Sequence, residues 1–251
     1  MKLRIGLGAA AVIGYAVLAF TGAGERAVAG TDEAGSIERG EALYRASCAT
    51  CHGMDGRGVD GWPAIGDAGA AAADFQLRTG RMPFVQEMGE QAQRKRPAFD
   101  EAEIRDLVAY VASLGEGPEI PEVRIDEALL PDGQRLFSGN CAPCHGATGN
   151  GGAVGGGAIA WPLHDSEPLI VAEAMITGPG QMPVFDLPAE QRDAVVTYVE
   201  YLRSAPTPGG LAVGGIGPVP EGFVAWMVGM GLLGVIVVLV GRSWDGEDRT
   251  P

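Results

Sequence analysis

Two stretches of the chain repeat apolar residues every three or four positions, which is the spacing of an amphipathic helix. In DEAEIRDLVAYVASLG, residues 100–115, the apolar stripe consists of Ile104, Leu107, Val108, Val111 and Leu114. In PAEQRDAVVTYVEYLRS, residues 188–204, it consists of Val195, Tyr198, Val199 and Leu202. Asp100 and Glu103 give the first stretch a capping-box start, and Gly115 ends it. The pattern predicts two helices with one buried face each, and no strand pattern of useful length appears.

The N-terminal part of the chain has the pattern of an export signal. Lys2 and Arg4 precede an apolar run at residues 5–20, and the small-residue triplet Ala-Val-Ala follows at 27–29. A positive start, an apolar centre and small residues beyond it are typical of secretory signals. We therefore expect residues 1–29 to be either a signal peptide that is cleaved or a signal anchor that is retained.

A second apolar run near the other end predicts a transmembrane helix. Residues 222–241 carry no charged side chain, and at about 1.5 Å per residue they are long enough to cross the hydrocarbon layer of a bilayer. Arg242 follows directly, and the positive-inside rule then places the tail, residues 242–251, in the cytoplasm. Everything between the signal and this helix is expected outside the cytoplasm, in an oxidising compartment.

The part between these runs contains an internal repeat. Cys48 and Cys141 are 93 positions apart, and so are His52 and His145. The similarity extends from RGEALYRASCATCHG and DGQRLFSGNCAPCHG, each with a glycine and a leucine-aromatic pair, to LRTGRMP and MITGPGQMP downstream. Each copy reads as a helix, a cysteine motif, a glycine-rich loop, a methionine-proline pair and a second helix.

The repeat divides the chain into predicted domains. The two copies cover residues 36–115 and 132–205, and the proline-rich, acidic segment 116–131 is the linker between them. Residues 206–221, rich in glycine and proline, form a tether to the transmembrane helix. The expected fold is all-α, with two small tandem domains followed by a membrane helix.

Composition narrows the range of partners. Among 251 residues, 18 Lys and Arg oppose 32 Asp and Glu, which gives a net charge of −14. This balance argues against nucleic acid or anionic lipid headgroups as partners and leaves basic protein surfaces open. Arg94, Lys95 and Arg96 form the one basic cluster of the sequence, which is either a docking surface or a solvated charge run.

The cysteine motif predicts covalent haem attachment. Two cysteines at i and i+3 can form thioethers with the two vinyl groups of one haem, and the histidine that follows can then ligate the iron from the same side. The predicted attachment residues are Cys48, Cys51, Cys141 and Cys144, and the predicted proximal ligands are His52 and His145. A covalent haem also supplies apolar core to a domain of this small size.

Other cysteine chemistry explains the motif less well. A four-cysteine zinc site needs no histidine directly after each second cysteine. A thioredoxin-like pair belongs to a fold that alternates strands and helices, and a structural disulfide within C-x-x-C is strained.

The second axial position decides whether the iron carries electrons or reacts with substrates. A methionine sulfur closes that position and raises the reduction potential. Met82 and Met182 are the candidates, because they occupy corresponding places, 30 and 37 residues after their histidines, and each precedes a proline. His164 is an alternative to Met182. No catalytic residue is predicted.

These motifs, taken in order, resemble the dihaem cytochrome c subunit of the cytochrome bcc complex, a quinol to cytochrome c reductase. The similarity includes ADFQLRTGRMP, EAMITGPGQMP and, most specifically, GGLAVGGIGPVPEGFVAWMVGMG before the tail. The resemblance implies two cytochrome c domains that carry two haem c groups, beside a cytochrome b subunit and a Rieske iron-sulfur subunit.

The same resemblance implies a function for the chain. Electrons from quinol, with menaquinol as the expected form, would pass from the Rieske cluster through both haems to a terminal cytochrome oxidase. The chain would be the electron-transfer subunit of an oxidoreductase and translocase, with no substrate chemistry at its own irons. Two alternatives are a free-standing membrane-tethered electron shuttle and a dihaem peroxidase-like enzyme, which needs one iron with an open position.

Overall fold

The computed structural model of the protein describes residues 34–85, 91–204 and 218–247, with side chains in the last range for 222–242. The predicted signal or anchor, most of the tether and the end of the cytoplasmic tail lie outside the described residues.

Within the described residues the chain is predominantly helical. The first repeat forms α1 (Ile37–Ser47), α2 (Ala49–His52), α3 (Gly69–Arg78) and α4 (Glu101–Ser113). The second repeat begins with a 3₁₀ turn at Glu127–Leu129 and forms α5 (Leu130–Asn140), α6 (Ala142–His145), α7 (Pro168–Thr177) and α8 (Ala189–Ser204). A final long helix, α9, covers Pro218–Glu247. The all-α prediction is confirmed.

A small antiparallel hairpin in the second repeat was not predicted. Strands β1 (Gly152–Gly155) and β2 (Ala158–Ala160) pair with a register irregularity between Ala153 and Gly155. Their sequence, GAVGGGAIA, offers neither β-branched alternation nor a long apolar run, so the signal for a strand is weak.

In each repeat the first and last helices cross at a glycine, whose lack of a side chain lets the two backbones approach closely. A Cβ atom on Gly40 of α1 would lie 2.0 Å from the carbonyl oxygen of Asp106 in α4. In the second repeat a Cβ on Gly133 of α5 would lie 2.1 Å from the carbonyl oxygen of Ala194 in α8. Aromatic pairs pack beside these crossings, Tyr44 with Tyr110 and Phe137 with Tyr198, at centroid distances of 5.0 and 5.3 Å.

The helices predicted from periodicity begin and pack as expected. The Asp100 carboxylate accepts hydrogen bonds from the backbone N–H groups of Ala102 and Glu103, and the Glu103 carboxylate accepts one from the Asp100 N–H. The predicted stripe residues are buried or pack against the buried core of their domain. The face of α8 is wider than predicted, because Val196 is also fully buried.

The two repeats contact each other through α3 and α7 and through the segment before α4. The Gln91 amide donates a hydrogen bond to the Ile159 carbonyl and accepts one from the Ile159 N–H, both at 2.9 Å. The Arg94 guanidinium donates to the Ser166 hydroxyl at 3.3 Å and to the carbonyl of Asp165. These bonds attach the loop of the first repeat to the second repeat.

Helix α9 has the length and composition of a membrane span. The stretch Gly222–Arg242 has a mean hydropathy of 2.6, and none of it is buried. An apolar helix that the other described residues leave exposed is suited to a lipid environment.

Candidate haem sites

Each cysteine motif forms a single helical turn directly after the first helix of its repeat. In the first repeat, the Cys48 carbonyl accepts hydrogen bonds from the N–H groups of Cys51 (3.1 Å) and His52 (3.0 Å). In this turn the two thiols lie three positions apart on one face, with the imidazole beside them. Cys48, Cys51 and His52 all line one cavity of about 460 Å³.

The second motif repeats this geometry. The Cys141 carbonyl accepts from the N–H groups of Cys144 (3.1 Å) and His145 (2.8 Å), and all three residues line a cavity of about 260 Å³. None of the four cysteines forms a disulfide with another described residue. Because the cysteines lie in two separate cavities, a single zinc site built from all four is excluded.

The imidazoles are oriented by backbone carbonyls. Nδ1 of His52 lies 2.9 Å from the Pro63 carbonyl oxygen, and Nδ1 of His145 lies 3.1 Å from that of Trp161. A carbonyl oxygen only accepts, so each Nδ1 carries the proton and each Nε2 keeps its lone pair for a metal. Burial also lowers the pKa of His145, which keeps its ring neutral and able to ligate.

Partial burial favours the protonated form of the first thiol of each pair. It raises the pKa of Cys48 to about 11, and the neighbouring Cys51 adds to the effect. The pKa of Cys141 is likewise raised to about 11, by burial and then by Cys144.

Each of the two candidate methionines lines the cavity that also contains the cysteines and the histidine of its own repeat. Met82 lines the first cavity and Met182 lines the second. The Met82 N–H donates to the Gln76 carbonyl at 3.1 Å, and the Met182 N–H donates to the Pro179 carbonyl at 3.2 Å. His164 is not among the residues described as lining either cavity, so the geometry favours Met182 over it.

Comparisons with known proteins identify the kind of domain to which each cavity belongs. The cytochrome c family model matches residues 37–115, and the model for subunit III of cbb3-type cytochrome c oxidase matches residues 128–199. The cytochrome bc1 complex cytochrome c subunit of Corynebacterium diphtheriae is 35% identical over 268 residues, covering 98% of this chain and 92% of the relative. That of Mycobacterium tuberculosis is 41% identical over 218 residues, covering 81% of this chain and 77% of the relative.

The chain belongs to the family of cytochrome bc1 complex cytochrome c subunits. The resemblance found in the sequence is thereby confirmed, together with the two cytochrome c domains that it implies. A member of this family with two cytochrome c domains carries two covalently bound haem c groups. The residues of both cavities fit this group, because each cavity presents two thiols, an imidazole whose Nδ1 is already bonded, a thioether and otherwise mainly apolar walls.

The second cavity of this family member includes residues that sequence reasoning missed. The first domain contributes Phe75, Gln76, Thr79, Arg81, Gln91, Ala92 and Arg94 to its wall. Gln76 and Ala92 line the first cavity as well. Treating each repeat as an independent unit hides this sharing, although the basic cluster around Arg94 was a signal that pointed to the region.

Arg81 is the most unusual of these residues. It is buried, with 9% of its surface exposed, and its guanidinium lies 4.8 Å from the centre of the Phe75 ring. Burial and the nearby charge of Arg94 lower the pKa of Arg81 to about 10. Arg81 and Arg94 both line the second cavity, so its wall contains two guanidinium groups.

Proposed function

We propose that Cys48 and Cys51 bind the first haem through thioethers, with His52 and Met82 as the axial iron ligands. Cys141 and Cys144 bind the second haem in the same way, with His145 and Met182 as ligands. The observation that carries this assignment is the recurrence of one donor set in two cavities, each with the Nδ1 atom of its histidine bonded to a backbone carbonyl.

The ligand set determines the chemistry of each site. Haem iron with imidazole and thioether ligands transfers single electrons at a raised potential. With Met82 and Met182 as ligands, the position that a peroxide or another substrate needs would be occupied, and both sites would act as electron carriers. A peroxidase-like role requires one cavity without such a ligand and has no support here.

In the membrane, the chain acts as the electron-transfer subunit of a quinol to cytochrome c reductase. The names of its relatives place them in a bc1 complex, which supports a cytochrome b subunit and a Rieske iron-sulfur subunit as partners. Electrons from quinol pass from the Rieske cluster through both haems to a terminal oxidase. Helix α9 holds the haem domains on the extracytoplasmic side, with the C-terminus in the cytoplasm.

Replacing the methionines tests the ligand assignment. Met82→Ala and Met182→Ala should each remove about half of the far-red sulfur-to-iron absorption of the oxidised protein and lower the midpoint potential of one haem. Met54→Ala is the matched control, because Met54 is 59% exposed and lines neither cavity. His164→Ala should leave the band intact. A band unchanged in either cavity variant, or lost in His164→Ala, contradicts the assignment.

Purification through a tag on this chain tests its place in the membrane. Recovery of cytochrome b and a Rieske protein in constant ratio supports the reductase, and a co-purifying oxidase supports the onward route. Recovery of the chain alone, under mild detergent, indicates the free-standing shuttle instead.

A further inference from the structure

The second cavity contains positive charge that the described protein does not neutralise. Arg81 and Arg94 are the only Arg, Lys, Asp or Glu residues among those described as lining it. Both belong to the first domain. The residues described as lining the first cavity include none of these four types, so the two cavities differ in charge although their iron ligands match.

The partners of the two guanidinium groups are neutral. Arg81 lies against the Phe75 ring, and Arg94 donates to the Ser166 hydroxyl and to the carbonyl of Asp165. No described carboxylate lies within 4.0 Å of either guanidinium. By contrast, Arg78, the partly buried arginine of α3, is paired with Asp74 at 2.7 Å and with Glu101 at 2.6 Å.

Burying an arginine without an anionic partner destabilises the folded protein, because nothing offsets the cost of desolvating its charge. A second cation nearby increases the cost. The pair therefore calls for an anionic ligand inside the cavity, and the planar donors of each guanidinium favour a carboxylate held by two parallel hydrogen bonds. Haem c has two such groups, because its propionate carboxylates remain free after both vinyl groups have reacted with cysteines.

We propose that Arg81 and Arg94 of the first domain bind the propionate carboxylates of the haem attached to the second domain. This inference rests on the proposed attachment of that haem to Cys141 and Cys144. The first domain thereby completes the second haem site, and the two arginines act as positioning residues for its haem. The positive charge of the two arginines favours the reduced iron, and the negative charge of the propionates offsets part of this effect. Removing either arginine leaves the charge of the propionates uncompensated.

The assignment has an asymmetric consequence for the two haems. Loss of a cation beside the propionates stabilises the more positive, oxidised iron and so lowers the midpoint potential of the second haem. The first haem has no charged residue in its described wall, and its potential should stay where it is. The second repeat carries Gln181 before Met182, where the first carries Arg81 before Met82, so the effect should not be reciprocal.

The test uses the full-length, haem-loaded chain in detergent, with the variants R81Q, R81K, R94Q and R81Q/R94Q. R135Q is the matched control, because Arg135 lies in the second domain, is paired with Asp132 at 2.7 Å and is exposed. Optical redox titration gives the two potentials, and the variants Met82→Ala and Met182→Ala identify which titration wave belongs to which haem. Peptide mass and the far-red band check haem attachment and ligation separately.

We expect R81Q and R94Q each to shift the second wave to lower potential, the double variant to shift it further, and R81K to keep part of the wild-type value. R135Q should change neither wave. An unchanged second wave in R94Q overturns the proposal. So does a shift confined to the first wave in R81Q, because Arg81 would then act on the first haem through the neighbouring Met82. If R81Q does not mature, R94Q decides. Missing haem in the wild-type chain would instead refute the proposed function.

Discussion

Replacing Glu173 with glutamine should stabilise the protein at neutral and alkaline pH. Glu173, in α7, is completely buried, and neither of its carboxylate oxygens accepts a hydrogen bond from a described N–H or O–H donor. Its neighbour across the contact between the repeats is the carboxyl group of Asp74 in α3, to which a protonated Glu173 can donate and which is itself paired with Arg78. Burial, with the charge of Asp74 second, raises the pKa of Glu173 from 4.5 to about 9, although Arg78 opposes the shift.

The sign and the size of the effect follow from this shift. In the folded state Glu173 holds its proton up to about pH 9, whereas in the unfolded state it loses the proton near pH 4.5. Unfolding therefore releases a proton between these values, and the free energy of unfolding falls by about 1.4 kcal/mol per pH unit. Over three pH units above 4.5 the loss amounts to roughly 4 kcal/mol.

Glutamine removes this loss because it is neutral at every pH and its amide can donate to Asp74. Guanidinium unfolding of the haem-loaded chain in detergent, followed by far-UV circular dichroism at pH 5 and pH 8, gives the difference between variant and wild type. We expect a small difference at pH 5 and a stabilisation of a few kcal/mol at pH 8. Glu190→Gln, at an exposed position of α8, is the control. A difference that does not depend on pH refutes the reasoning.

Two further predictions concern the helix contacts. Gly133→Ala should destabilise the second domain by about 1–3 kcal/mol, since its Cβ would overlap the backbone of α8, whereas Gly139→Ala in the same helix meets no atom within 4 Å and should be close to neutral in chemical unfolding. Asp106→Asn should cost about 1 kcal/mol at pH 7, because it breaks the bond to the largely exposed Arg39. Hydrogen bonding by Arg39 lowers the pKa of Asp106, so its contribution is full above about pH 4 and is lost as the pH falls further. A deficit that does not shrink as the pH is lowered below about 4 contradicts this.

Local patterns allowed much of the structure to be predicted from the sequence. The stripe ending at Leu114 and the capping residues Asp100 and Glu103 specify α4 without any tertiary information. The C-x-x-C-H spacing likewise places thiols and imidazole on one helical turn, whatever surrounds them. Met82 and Met182 were predicted as ligands because the repeat puts them in equivalent places, and each lines the cavity of its own repeat.

Contacts between the repeats could not be predicted in this way. Glu173 reads as one acid in an apolar helix, and only the packing of α7 on α3 brings it to Asp74. Arg81 looks like an ordinary polar neighbour of Met82 until the fold places it at the edge of the other cavity. Such pairings depend on the relative position of two domains, which periodicity within one segment does not encode.

The two cavities are neighbours, because Gln76 and Ala92 belong to the wall of each. Electron tunnelling weakens exponentially with the distance between the centres, so neighbouring cavities favour rapid exchange between the centres that they hold. With haems in both cavities, an electron that reaches either iron should equilibrate over the pair before an outside partner collects it. The chain would then behave as one two-electron reservoir, whose charge is shared, rather than as two independent relays in series.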